Sequence, residues 1–264
     1  MKITFYGYNT FIIEADSKKI AIDPGALFFY YFRFTTLIPK SEWHDITHIL
    51  ITHGDPDHYW HADRVAASSN AMVILNDSMI RDVSGEALAL GPRNKGLAFT
   101  AKFDRVTTLI VDEEKNVDGI LVKGIKTTHG PLILRLGPFS KIVTPGKNER
   151  IGWGAIGFDI KVGDKTLVNL GDTLLHSEEW ESLKDPDVLM IPIGGRTSHN
   201  TMDEKEALEA VKAMRPKLVI PCHYNCPAFF TRHYNPADDV GFKHNVEKAG
   251  YECTVLNTGE SIVL

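Results

Sequence analysis
Short apolar runs separated by turn residues run the length of this chain, and they set the elements to expect. Ile3–Phe5, Thr10–Glu14 and Lys19–Asp23 have strand length, are broken by Asp16-Ser17-Lys18 and close at Pro24-Gly25, which predicts a hairpin or meander. Ile49-Leu50-Ile51 is an apolar, β-branched run that stops at His53-Gly54-Asp55-Pro56, so a buried strand should pass through a turn into a helix over 57–69. Ala71–Leu75 reads as a strand, Asp77–Val83 as a short helix and 86–99 as a loop around Gly91-Pro92. Strands are then expected at Ala101–Phe103, Thr107–Val111 and Gly119–Lys126, and a hairpin joins Ala155–Val162 to Lys165–Leu170 through Gly163-Asp164. Residues 131–153 are too broken by Gly and Pro to assign. The remainder alternates: a helix near Glu178–Leu183, a strand at Val188–Pro192, and a helix to about Met214 with Thr201 as N-cap and Glu204 as its capping-box partner. Strand Leu218–Pro221, helix Asp238–Lys248, strand Glu252–Leu256 and a closing Ser261–Leu264 follow.

No repeat, low-complexity tract or shift of composition divides the chain, so residues 1–264 are expected to form a single domain. Two strand-rich halves that each carry helices predict an α+β fold, with two sheets packed face to face and helices on the outer faces. A formal charge of −5 without a basic block argues against a nucleic-acid partner, and no apolar run reaches the length of a membrane span. Three cysteines are too few and odd for a disulfide framework, and Met1–Phe5 enters a strand pattern without the layout of a signal peptide; both fit a cytoplasmic protein.

Four of the predicted strands end on residues that can hold a metal. These are His53, Asp55, Asp57 and His58 after the first, His129 after the second, Asp172 after the third and His223 after the fourth. Buried Asp and His side chains need partners, so such a concentration does not read as ordinary core. Seven nitrogen and oxygen donors exceed what one ion uses and suit two ions sharing a carboxylate. Two such ions can acidify a water and polarise an ester, lactone or phosphoryl oxygen.

The run His53-Gly54-Asp55-Pro56-Asp57-His58, followed by His129, Gly171-Asp172-Thr173 and His223 in that order, resembles the metallo-β-lactamase-fold hydrolases. Pro192-Ile193-Gly194-Gly195, Thr201-Met202-Asp203 and Pro221-Cys222-His223-Tyr224-Asn225 look like the branch that contains the ascorbate-6-phosphate lactonase, as do Gly7–Glu14 and Ile22-Asp23-Pro24. The resemblance covers nearly the whole chain. It implies a four-layer αββα sandwich of two mixed sheets, and a metal-dependent hydrolase acting on a lactone, ester or phosphate ester. It also implies two divalent ions, zinc or manganese with iron as a further candidate. His53 and His129 would hold the first ion and Asp57, His58 and His223 the second. Asp172 would bridge them, and Asp57 would orient the water. The family pattern has a second His where this chain has Asp55. As a ligand, Asp55 would make the first site harder, favouring manganese, iron or magnesium more than four nitrogen donors would; otherwise that site would be weak or empty.

Other residues invite weaker assignments. His176, Arg196, His199, Tyr224 and Asn225 follow the ligand-bearing strand ends and could contact substrate, each against a bland alternative of surface or packing. Cys222 should face the core, opposite His223. His44, His48, His61, His233 and His244 read as structural or exposed. The aromatic stretch Phe28–Phe34 suits an apolar wall over a pocket, packed loop or subunit contact, and homo-oligomers are compatible with it. No Gly-x-Ser-x-Gly elbow or P-loop is present. A nuclease or phosphodiesterase of the same fold, or a metal-binding protein without turnover, are the competing functions.

Overall fold
The computed structural model describes residues 1–27, 35–80, 103–136, 139–145, 151–183, 185–227 and 234–264. Two seven-stranded sheets carry the architecture. The strands are β1 (Lys2–Phe5), β2 (Phe11–Ala15), β3 (Lys18–Ile22), β4 (His48–Ile51), β5 (Met72–Asn76), β6 (Val106–Leu109) and β7 (Glu114–Val117). They continue with β8 (Ile120–Ile125), β9 (Gly157–Val162), β10 (Lys165–Asn169), β11 (Val188–Pro192), β12 (Leu218–Cys222), β13 (Glu252–Cys253) and β14 (Ser261–Val263). The first sheet runs β14-β1-β2-β3-β4-β5-β6 and the second β13-β12-β11-β10-β9-β8-β7. Each is mixed: β14 to β3 pair antiparallel and β3 to β6 parallel, and β7 to β10 pair antiparallel and β10 to β13 parallel.

Strand alternation builds the layers. Leu50 and Ile74 point between the sheets, where they join Phe11, Ile22, Phe158, Met190 and Ile220 in one buried cluster. Their neighbours Ile49, Ile51, Val73 and Leu75 point the other way, onto Val65 and Ala66 of helix α2 (Ala62–Ser69), which follows α1 (Pro56–Tyr59). In the second sheet Leu189, Ile191 and Val219 face outward onto α5 (Glu204–Met214) and α6 (Asp239–Lys248), which come after α3 (Ser177–Trp180) and α4 (Gly195–Ser198). Ala207, Ala210, Val211 and Met214 form the buried stripe of α5, at helical spacing. The order is therefore helix, sheet, sheet, helix. Each fully buried Leu or Ile in it contributes about 1.5–3 kcal/mol.

Several elements differ from the sequence expectation. The helix expected over 57–69 is two pieces, because the backbone breaks at Trp60-His61, where His61 N donates to Pro24 O at 3.1 Å. The cap of α5 is Asp203, not Thr201. Its carboxylate accepts from Lys205 N and Glu206 N while Glu206 returns a bond to Asp203 N, and Thr201 is occupied instead with Thr173. Helix α3 stops at Trp180, short of Leu183. Of the short helix expected over Asp77–Val83, Asp77–Met79 is a 3₁₀ turn, and residues 81–83 lie outside the described residues. The unassigned 131–153 region contains a two-stranded hairpin, Leu132–Leu136 with Phe139–Val143. Phe28–Phe34, the 86–99 loop, His233 and the first two residues of the strand expected at Ala101–Phe103 lie outside the described residues. Among the described residues no helix is long and apolar enough to cross a membrane.

Candidate metal centre
Chain geometry beyond four strand ends converges on one place. The segment after β4 supplies His53, Asp55, Asp57 and His58. The end of β8 leads to His129, β10 leads to Asp172 and β12 leads to His223. All seven come together, in three overlapping groups: His53, Asp55 and His129; Asp57, His58 and His223; and His53, His58 and Asp172. The four histidines and Asp172 are buried, at 5% exposure or less.

Two glycines make the approach possible. A Cβ on Gly25 would sit 1.7 Å from Asp57 O, so only glycine lets the turn after β3 press against α1. Gly152 has φ +64°, and a Cβ there would lie 2.2 Å from the His129 Cβ. Around the site several non-glycine residues also hold left-handed backbone: Tyr8 at φ +50°, Asp23 at +46° and His223 at +51°. His223 N donates to Tyr8 O at 2.7 Å and so fixes that turn.

Each of the four cluster histidines has a neighbour at Nδ1. His58 Nδ1 lies 2.6 Å from Asp23 Oδ2, and His129 Nδ1 donates to Gly130 O at 2.6 Å. His53 Nδ1 lies 3.1 Å from Thr52 Oγ1, and His223 Nδ1 lies 2.8 Å from the side-chain amide of Asn235. This leaves Nε2 of all four rings directed at the carboxylates. Asp55 Oδ2 is 3.4 Å from His53 Nε2 and 3.5 Å from His129 Nε2, while its Oδ1 accepts from Gly152 N at 3.1 Å. Asp57 Oδ2 is 3.6 Å from His58 Nε2 and 3.4 Å from His223 Nε2. Asp172 lies between the groups, with Oδ1 3.8 Å from His58 and Oδ2 3.8 Å from His129 and 3.0 Å from His223.

His53 Nε2, His58 Nε2 and Asp172 Oδ1 are buried without a hydrogen-bond partner. An unpaired buried polar atom costs about 1–3 kcal/mol, so three in one small volume mark a place shaped for a cation. Imidazole nitrogens and carboxylates are the donors that zinc, manganese and iron take, so the residues fit a divalent metal. The charges agree. Burial pushes the Asp55 carboxyl up, but His53 and His129 outweigh it and hold the group below its ordinary value. Asp57 is lowered too, burial being overcome by His58 and His223. Burial likewise pulls His58 down, yet Asp23, Asp57 and Asp172 raise it to about 9. His223 is raised by Asp172 and Asp57 against burial, while burial lowers His129.

Sequence reasoning missed a shell of buried polar residues around this cluster. Asp23, with 0% exposure, accepts from Thr52 N (2.7 Å), Thr52 Oγ1 (2.6 Å) and Asn9 Nδ2 (2.7 Å) besides holding His58. Asn9 and Asn169 exchange amide bonds of 3.0 Å, stitching the turn after β1 to the end of β10. Asn200 donates to Asp172 Oδ2 at 3.4 Å and accepts from Ser198. The signal was slight: Asp23 closes an apolar strand ahead of Pro-Gly, Asn169 is one polar residue at the end of an apolar strand, and Asn9 and Asn200 are single polar residues in loops.

Of the five further candidates, four have other partners and His199 is exposed. Arg196 is exposed and ion-paired to Glu204. His176 lies 2.9 Å from Thr128 Oγ1 and edge-on to Trp180. His199 is exposed at the left-handed end of α4. Tyr224 packs against the outer core of the second sheet, and Asn225 bonds Ala237 through both amide atoms at 3.1 Å. Cys222 faces the inter-sheet core, with its thiol 3.3 Å from Asn9 Oδ1.

This arrangement is that of the metallo-β-lactamase fold. The chain is similar throughout to the solved structure of Igni18, a novel metallo hydrolase from the hyperthermophilic archaeon Ignicoccus hospitalis. The TM-score is 0.70 over 99% of this chain and 97% of that one, at 24% identity. Family comparison matches residues 2–223 to the beta-lactamase superfamily domain, and the chain belongs to that superfamily. Over its full length it is similar to UPF0173 metal-dependent hydrolases covered equally in full: 31% identical over 275 residues to that of Pelotomaculum thermopropionicum, and 30% over 266 to that of Nanoarchaeum equitans. It is a metal-dependent hydrolase of this superfamily.

Proposed function
We propose that the protein hydrolyses a small-molecule lactone, ester or phosphate ester at a dinuclear centre. His53, Asp55 and His129 would hold one ion, Asp57, His58 and His223 the other, and Asp172 both. The observation that carries this reading is the set of buried, partnerless atoms His53 Nε2, His58 Nε2 and Asp172 Oδ1 facing two ionised carboxylates. Zinc or manganese, or iron, would supply Lewis acidity at the scissile centre and acidify a water.

The chain's own contribution is orientation and proton handling. Asp55 and Asp57 are 16% and 18% exposed against 1% for Asp172, so these two carboxylates face incoming substrate and water. Asp57 is ionised at neutral pH, held below its ordinary value by His58 and His223 against burial, so it can accept a hydrogen bond from an attacking water and orient it. Anchoring at Nδ1 by Asp23, Thr52, Gly130 and Asn235 keeps the imidazoles from turning as charge develops. The net charge of −5 favours a small substrate over a nucleic acid, the same grounds on which a nuclease is set aside. The resemblance to the ascorbate-6-phosphate lactonase branch supports starting with lactones and phosphodiesters, and the whole chain is taken as one cytoplasmic domain.

The test is elemental analysis of protein purified without chelator, beside Asp172→Ala, with turnover of generic lactones and phosphodiesters. Two ions per chain, most of them lost with activity in the variant while the fold persists, is the expected result. Unchanged metal and turnover in Asp172→Ala would remove the bridging role.

A further inference from the structure
Asp55 and Asp57 occupy matching positions in the two halves of the cluster. Asp55 Oδ2 stands 3.4 and 3.5 Å from its two imidazole Nε2 atoms, and Asp57 Oδ2 stands 3.6 and 3.4 Å from its own pair. Their exposures, 16% and 18%, match as well. Gly152 N fixes Asp55 Oδ1 at 3.1 Å, so the inward direction of Oδ2 is set by the backbone. Each half therefore offers two imidazole nitrogens and one carboxylate oxygen, with Asp172 shared. A histidine at position 55 would break this match, giving three imidazoles on one side and two on the other.

Resting on the dinuclear reading above, we propose that Asp55 is a specificity-determining residue that makes the two half-sites equivalent. The protein then takes a pair of like divalent ions with one common preference, rather than two ions held in chemically different sites. Site preference follows donor type: a third imidazole favours zinc, and a second carboxylate favours manganese or iron(II) relative to it. Equal donor sets remove the difference in donor type on which that preference turns.

The test is displacement of manganese(II) by zinc(II) from metal-free protein reloaded with manganese. The released aqueous ion is read by its electron paramagnetic resonance spectrum, which needs no substrate. Wild type should release two manganese ions per chain in a single phase. Asp55→His should release them in two phases, the first at roughly tenfold lower zinc. Two separated phases from wild type overturn the proposal, and so does a single phase at the wild-type midpoint from the variant. The wild-type curve decides equivalence alone, even if the variant does not fold. Protein that holds fewer than two manganese ions at the start overturns the dinuclear reading and this proposal with it, whereas two phases from fully loaded protein overturn this proposal only.

Discussion
Asp23→Asn is the most informative single change, because Asp23 touches no candidate ligand position except through His58. The side chain keeps its size, but one carboxylate oxygen becomes an amide group that donates. In the native arrangement Oδ2 faces three donors, Thr52 Oγ1, Asn9 Nδ2 and the His58 ring, and Oδ1 faces Thr52 N. Whichever way the amide turns, at least one donor meets another donor in a site with 0% exposure. Removing one partner of a buried charged pair costs about 3–5 kcal/mol, as the other is left uncompensated. At about 2–4 °C per kcal/mol for a domain of this size, the melting temperature should fall by about 6–20 °C.

The deficit has a pH signature in metal-free protein. Burial lowers His58, but Asp23 leads the carboxylates that raise it from 6.5 to about 9. A raised folded value means the pair stabilises fully below 6.5 and its contribution fades as pH rises through about 9. The gap between Asp23→Asn and wild type should therefore be widest below pH 6.5 and narrow toward pH 9, leaving the share owed to Thr52 and Asn9. Metal affinity should drop about 10–100-fold, since the ring that presents Nε2 is no longer held. Thermal melts across pH, with metal titration, give both numbers. A variant that melts within about 1 kcal/mol of wild type at every pH and binds metal as tightly would refute the assigned role of Asp23.

Gly152→Ala should reduce the metal bound per chain and lower stability by about 1–3 kcal/mol, because the new methyl collides with His129; elemental analysis and a melt check both. His48 is buried, with Nε2 3.0 Å from Val117 O, and burial lowers its pKa. Its stabilisation is complete above 6.5 and is lost as pH falls below that value, so His48→Gln should flatten the acid side of the stability profile in denaturant melts. Asp203→Ala removes the capping box of α5 and should cost about 1 kcal/mol in a denaturant melt with metal content unchanged.

The candidate ligands were legible because each sits where an apolar strand ends, and strand ends are the easiest feature to read from a single sequence. The sandwich was legible for the same reason: Ile49-Leu50-Ile51 is apolar on both faces because it is covered on both, by the second sheet and by α2. What could not be read depends on tertiary contacts. Asn9 and Asn169 are 160 positions apart, and nothing local announces that each completes the other's hydrogen bonds. The break at Trp60-His61 is made by Pro24, from a different strand end. Thr201 has a good N-cap side chain, but Thr173 claims it and the cap moves two residues on to Asp203.

Left-handed backbone at Tyr8, Asp23 and His223 costs each residue about 1–2 kcal/mol relative to glycine, and the unpaired ring atoms add to that. Without an ion, the centre is thus a local minimum of stability set inside a well-packed sandwich. Bound metal reverses the sign, because a ligand of the folded state stabilises by mass action. Libraries screened for heat resistance in chelating buffer would therefore erode these positions, His223→Gly among the first. The same libraries screened with metal present would keep them, so the additive chosen for the screen decides whether the hydrolase survives its own stabilisation.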